Sequence, residues 1–154
     1  MTHLQAGDKA PDFKGLNQKG EEVSLVDFQG KKEILFFYPK DMTPGCTAQA
    51  CNLGENYSDL ISKGFEVIGV SADSITRHQK FTDKYELPFT LLADESKEII
   101  QAYGVWGPKK LAGREYEGIH RVTFVIDENG VIEHIILKVK TKTHTAQILA
   151  ELGM

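Results

Sequence analysis

The strongest constraint lies in one unbroken stretch. Glu33-Ile34-Leu35-Phe36-Phe37-Tyr38 is apolar at almost every position, as expected of a central strand covered on both faces. Pro39-Lys40-Asp41-Met42 then leads into a helical pattern. Thr43-Pro44 reads as an N-cap followed by proline at the first helical position. That places Gly45 and Cys46 in the first turn, where backbone N–H groups have no intrahelical partner and the dipole favours negative charge. A sulfur there is biased toward thiolate. The only other cysteine, Cys51, follows five residues later in the same helix.

The remaining segments arrange themselves around this unit. Phe13 to Leu16 and Glu22 to Leu25 flank the turn-rich Asn17-Gln18-Lys19-Gly20 and predict a small hairpin. The segment from Cys46 to Lys63 carries Ala50, Leu53, Tyr57, Leu60 and Ile61 at helical spacing, with Gly64 at the C′ position. Phe65 to Val70 is the next strand. Ser74 caps a helix with the stripe Ile75, His78, Phe81 and Tyr85, stopped by Leu87-Pro88. A short strand, Phe89 to Leu92, precedes a helix from about Ser96 to Tyr103. Lys109 to Gly118 reads as a polar loop. Arg121 to Ile126 and Val131 to Leu137 are strands joined by Asp127-Glu128-Asn129-Gly130, a strong hairpin signal. His144 to Leu152 is the last helix. The order predicts an α/β fold, a mixed sheet with helices on its faces in a thioredoxin-like frame, preceded by an N-terminal hairpin. Residues 1–154 are expected to form one domain.

Composition narrows the function classes. A net charge of −4 gives no reason to expect nucleic acid or an anionic membrane as partner. No apolar run is long enough to span a bilayer, and Met1 to Lys9 has no secretory h-region. The expected location is therefore cytoplasmic, a reducing compartment in which two cysteines point to catalysis or metal binding. A metal site would need further ligands, and the five histidines are scattered. No cofactor or metal is expected.

A redox pair makes a geometric demand. On an intact helix, residues five apart stand about 7.5 Å along the axis and about 140° around it. Their Cα atoms then lie about 8–9 Å apart, beyond the ~7 Å limit for a disulfide. Cys46 and Cys51 can bond only if the first turn or two unwinds.

The pattern Pro39-x-x-x-Thr43-x-x-Cys46 resembles the peroxiredoxin active-site motif. The wider string, Phe37-Tyr38-Pro39-Lys40-Asp41, Thr43-Pro44-Gly45-Cys46-Thr47 and Ala50-Cys51, is similar to the bacterioferritin-comigratory, or Q-type, subfamily. Gly69-Val70-Ser71, Tyr103-Gly104-Val105-Trp106-Gly107, Gly118-Ile119-His120-Arg121 and Phe124-Val125-Ile126-Asp127 agree with it in order. The resemblance implies a thioredoxin fold and a thiol peroxidase acting on hydrogen peroxide or organic hydroperoxides, with thioredoxin as usual electron donor. By position, Cys46 is the peroxidatic cysteine and Cys51 the resolving one. Thr43 and Arg121 are the polar partners, Pro39 shields the pocket, and Gly45 lies on the substrate side. The resemblance further implies a monomer, with a weak dimer as the alternative. Gln49, one turn from Cys46, is a candidate contact for Arg121; Trp106 is a pocket wall, a docking surface or a core anchor.

Thiolate formation explains little of such a rate. At an unperturbed pKa of ~8.5 about 3% is ionised at pH 7, so full ionisation gains at most roughly 30-fold. The rest must come from aligning the peroxide bond and stabilising the departing oxygen. A second reading keeps the redox pair but assigns it to a peroxide-sensing relay that hands its disulfide to a partner. A non-catalytic thioredoxin-like binding module fits less well, since Cys46, Cys51, Thr43 and Arg121 are all present.

Overall fold

The apolar run forms a central strand as expected. In the computed structural model, which describes residues 2–154, β3 (Lys32–Phe37) has its last five residues buried. It pairs in parallel with β4 (Phe65–Ser71) and antiparallel with β8 (Val122–Ile126). The expected hairpin, β1 (Lys14–Asn17) and β2 (Glu22–Ser24), and the strands β5 (Thr90–Ala93) and β9 (Ile132–Ile136) complete a seven-stranded mixed sheet. Its order is β2-β1-β5-β4-β3-β8-β9. This is a thioredoxin-like α/β fold.

Side-chain alternation along β3 divides the core into two layers. Ile34, Phe36 and Tyr38 face α1 (Pro44–Glu55), α2 (Tyr57–Ser62), α3 (Ile75–Tyr85) and α5 (His144–Glu151) through Leu53, Leu60, Phe81 and Ile148. Leu35 and Phe37 face the other way, onto Phe13, Tyr103 and α4 (Glu98–Ala102). Each fully buried side chain of this kind contributes roughly 1.5–3 kcal/mol. Among the described residues, no helix is long and apolar enough to cross a membrane.

Several expectations need correction. The helix drawn from Cys46 to Lys63 starts two residues earlier and breaks at Asn56 into α1 and α2. There the Asn56 side-chain amide donates to the Asn52 carbonyl, offering the backbone a local alternative to helix. Leu25 leaves the strand for a 3₁₀ turn, Leu25–Phe28, whose start is held by the Asp27 carboxylate accepting from Ser24 N–H. The polar loop from Lys109 to Gly118 is a two-stranded ribbon, β6 (Trp106–Leu111) and β7 (Arg114–Ile119). Most of it is exposed, so neither face carries an apolar alternation to read. Its turn, Ala112-Gly113, has positive φ at both residues (52° and 78°), which suits the twist of a tight hairpin. Arg121 stands one residue before β8 rather than inside it.

A buried histidine links α5 to the sheet. His144 lies 3.0 Å from the Gln147 side-chain oxygen through Nδ1, and 2.8 Å from the Thr123 hydroxyl through Nε2. The amide oxygen only accepts, so Nδ1 carries the proton and Nε2 accepts from Thr123. Burial pushes its pKa down from 6.5 to about 4, the nearby Arg121 charge adding to the shift. The unfolded chain therefore binds this proton more readily. Stability is full above about pH 6.5 and falls as pH drops toward 4, by about 3 kcal/mol in all. Urea melts should lose this slope between pH 6.5 and 4 in His144→Gln.

Candidate active site

Three separate parts of the chain converge on Cys46. The sheet delivers the first: after β3 the chain crosses Pro39 and Asp41 and enters α1 with Thr43 at the N-cap and Pro44 at N1. Pro44 has no N–H, and Thr47 N–H is the first to close a helical bond, onto the Thr43 carbonyl at 2.8 Å. The N–H groups of Gly45 and Cys46 come before it and have no intrahelical acceptor. Thr43 does not cap with its side chain. Its hydroxyl donates to the Lys40 carbonyl at 2.8 Å, which leaves the oxygen as an acceptor. Cys46 is 1% exposed, and both cysteines are free thiols within one continuous helix.

Arg121 supplies the second part. Its Nη2 donates to Cys46 Sγ at 3.4 Å and its Nη1 to Gln49 Oε1 at 2.8 Å. Gln49 is buried on the helix turn after Cys46 and fixes the fork of the guanidinium. Gly45 makes this approach possible: a Cβ there would stand 3.1 Å from Arg121 Nη2. The third part is Lys109 on β6, within the stretch expected as a polar loop. Its ammonium donates to the Ile119 carbonyl at 2.9 Å. Burial and then the Arg121 charge lower its pKa, against an opposing pull from Cys46. Trp106 is half-buried against the core, with Lys97 Nζ 5.1 Å above its ring.

Cys51 lies elsewhere on the helix. It is half-buried, and burial together with the Glu55 charge raises its pKa, which keeps it a thiol at neutral pH. The next residue, Asn52, is pinned to the first turn of α5 and the residues just before it. Its side chain accepts from Thr145 N–H at 2.8 Å and donates to the Lys142 carbonyl at 3.1 Å.

The loop entering α1 is anchored by groups that no spacing revealed. Asp41 is buried and accepts from the Tyr38 hydroxyl at 2.5 Å, while its other oxygen lies 2.6 Å from His78 Nδ1. Asp41 N–H donates to Asp73, which also takes the Ser71 hydroxyl and Arg77 Nε. This fixes Met42 at a φ of 64° just ahead of the N-cap, a left-handed conformation of the sort that only surrounding contacts sustain. The three groups Asp41, Asp73 and His78 lie close enough to suggest a cation site. They do not fit one. His78 Nδ1, the nitrogen that faces the carboxylates, is taken up in a 2.6 Å hydrogen bond with Asp41, and the carboxylate oxygens already accept from the Tyr38 and Ser71 hydroxyls, Asp41 N–H and Arg77 Nε. The only hint in the sequence was a histidine on an otherwise apolar helix stripe.

Comparison with known proteins decides the family. Residues 6–135 match the AhpC/TSA family model. The chain is a peroxiredoxin of the AhpC/TSA family. Over 149 residues it is 46% identical to peroxiredoxin Bcp of Escherichia coli K12, covering 97% of this chain and 96% of that protein. Against peroxiredoxin Bcp of Bacillus subtilis the identity is 44%, covering 97% and 95%. Among solved structures, a peroxiredoxin Q mutant from Xylella fastidiosa superposes with a TM-score of 0.91 at 26% identity, covering 98% of this chain and 96% of that one. A bacterioferritin comigratory protein from Xanthomonas campestris, described by its alkyl peroxide reduction activity, gives 0.88 at 29% identity, covering 97% and 98%. The subfamily read from Phe37 to Cys51 is thus a Bcp/Q-type peroxiredoxin, a thiol peroxidase.

Gly45→Ala should push the guanidinium off the sulfur by a few tenths of an ångström. In this peroxiredoxin, stopped-flow oxidation by hydrogen peroxide should then slow about tenfold, as expected for small misplacements of a catalytic group, while circular dichroism stays unchanged.

Proposed function

We propose that the chain reduces hydrogen peroxide and organic hydroperoxides through Cys46, resolves the product with Cys51, and is recycled by thioredoxin. The observation that carries the reading is the Arg121 contact: a guanidinium 3.4 Å from a buried sulfur and locked by Gln49. It supports a site built to receive negative charge as it moves from sulfur to oxygen.

In the first step, an electron pair on the Cys46 thiolate attacks the terminal peroxide oxygen. The O–O bond breaks, an S–O bond forms, and the departing hydroxide or alkoxide takes a proton to leave as water or alcohol. Arg121 and the free N–H groups of Gly45 and Cys46 are the donors available to the oxygens. The Thr43 oxygen, its own proton committed to Lys40, accepts the hydrogen of the hydroperoxide. Pro39, half-buried beside them, closes the pocket against water.

In the second step, the Cys51 thiol condenses with the Cys46 sulfenic acid, an S–S bond forms and water is released. The helix forbids this while it is intact, since about 8–9 Å separates the Cα atoms. Asn52 pins the turn after Cys51, so opening starts at the Pro44 end. A thioredoxin dithiol then reduces the disulfide by exchange. The chain acts as one domain in the cytoplasm, as a monomer or weak dimer.

One equivalent of peroxide should lower the intact mass by about two units as a disulfide forms, mapped by peptides to Cys46 and Cys51. Cys46→Ser should abolish peroxide consumption coupled to NADPH, thioredoxin reductase and thioredoxin. Cys51→Ser should permit one oxidation, lose recycling and over-oxidise readily. Normal cycling of Cys51→Ser with thioredoxin would sink the resolving assignment. Absence of turnover with an intact oxidation step would favour the relay instead.

A further inference from the structure

The end of β3 remote from Pro39 holds a charged residue that the chemistry at Cys46 does not use. Glu33 stands four residues before Phe37, about 13 Å along the strand. It shares the face of Leu35 and Phe37 and is 1% exposed. Neither of its carboxyl oxygens has a hydrogen-bond partner. Among the described residues it forms no ion pair, although the adjacent Lys32 pairs with Glu133. A buried carboxyl without a donor is costly and calls for an explanation. Burial, and secondarily Glu66 opposite it on β4, raise its pKa to about 8.

Glu33 is among the residues that line a pocket of about 270 Å³ between the 3₁₀ turn after β2 and the turn joining β8 to β9, its carboxyl oxygens buried beneath the pocket surface. Leu25, Phe28 and Ile126 supply an apolar wall. Asp12, Asp127 and Glu128 also line it, so with Glu33 its carboxylates outnumber its two lysines, Lys9 and Lys31. A divalent cation fits poorly, because it needs several converging oxygens. No metal-like cluster among the described residues includes Glu33. Asp127 Oδ1 is occupied by the N–H groups of Asn129 and Val131. An organic cation needs less: one deep carboxylate for its N–H donors and an apolar wall for its stem. The volume suits a small ligand, as it lies just below the range of ordinary ligand pockets.

We propose that this pocket binds an alkylammonium group, with the ammonium against Glu33 and its aliphatic stem along Leu25, Phe28 and Ile126. Such a group arrives either as a free small amine or as a lysine side chain on a peptide. Glu33 releases its proton to solvent as the cation enters, so binding strengthens with rising pH.

The test is an amide NMR titration of the reduced full chain with n-butylammonium chloride, and separately with Nα-acetyl-lysine-N-methylamide. Saturable shifts are expected in residues 25–33 and 126–130. Affinity should rise more than tenfold between about pH 6 and about pH 8.5, because the ionised fraction of Glu33 grows from about 1% to about three-quarters. Glu33→Gln should remove the shifts, leave peroxide turnover unchanged and raise rather than lower the melting temperature at neutral pH, since a costly buried carboxyl is gone. Binding of butylammonium would assign a free amine as sufficient; binding of the lysine derivative alone would assign a peptide-borne one. No saturable shift with either probe in the wild-type chain overturns the proposal. So do equal affinities at the two pH values, or shifts that persist in Glu33→Gln.

Discussion

The guanidinium of Arg121 can sit on the sulfur of Cys46 only because two chain segments 75 residues apart are brought together. One is the first turn of α1, carried at the end of β3. The other is the residue just before β8, the antiparallel neighbour of β3 in the sheet. Strand pairing therefore sets the distance between cation and sulfur, and the buried layers on either side of β3 keep that pairing rigid. Gly45 and Gln49 make the final adjustment, one by leaving room and the other by gripping the fork. A site made this way needs no reorganisation when charge develops, which is where preorganised dipoles contribute most.

In the proposed cycle, the same helix serves two steps with opposite requirements. Oxidation of Cys46 needs the first turn folded, because its free N–H groups and the Arg121 contact exist only then. Joining Cys46 to Cys51 needs that turn undone. The Gly45 and Cys46 N–H groups make no helical bonds that opening would break. The buried stripe of Cys46, Ala50 and Leu53 resists it. Packing holds the balance together with the Thr47 bond to Thr43 and the Arg121 contact, and in the proposed cycle a change of the sulfur from apolar thiol to polar sulfenic acid acts directly on that packing.

Much of this was legible in the residues. The unbroken apolar run marked β3, the Thr43-Pro44 pair marked the start of α1, and Asp127-Glu128-Asn129-Gly130 marked the turn before β9. Local chemistry fixed each of these, so a linear reading found them. The β6–β7 ribbon was missed because a hairpin exposed on both faces has no period to detect, and with it went the position of Lys109. The Asp41–His78 contact spans 37 residues and depends on how α3 lies across the sheet. Pairs set by tertiary packing leave no mark in spacing. Thr43 occupied its expected position with a different bond, its hydroxyl donating to the Lys40 carbonyl and accepting nothing from the first turn.

The anchors on either side of the two cysteines carry a mechanical consequence. Asp41 is moored to β3, β4 and α3 through Tyr38, Asp73 and His78, and Asn52 is moored to the first turn of α5. What lies between behaves like a strap riveted at both ends. In the proposed cycle it can slacken and snap back without freeing either end, so opening would stay local and the frame behind it would be spared.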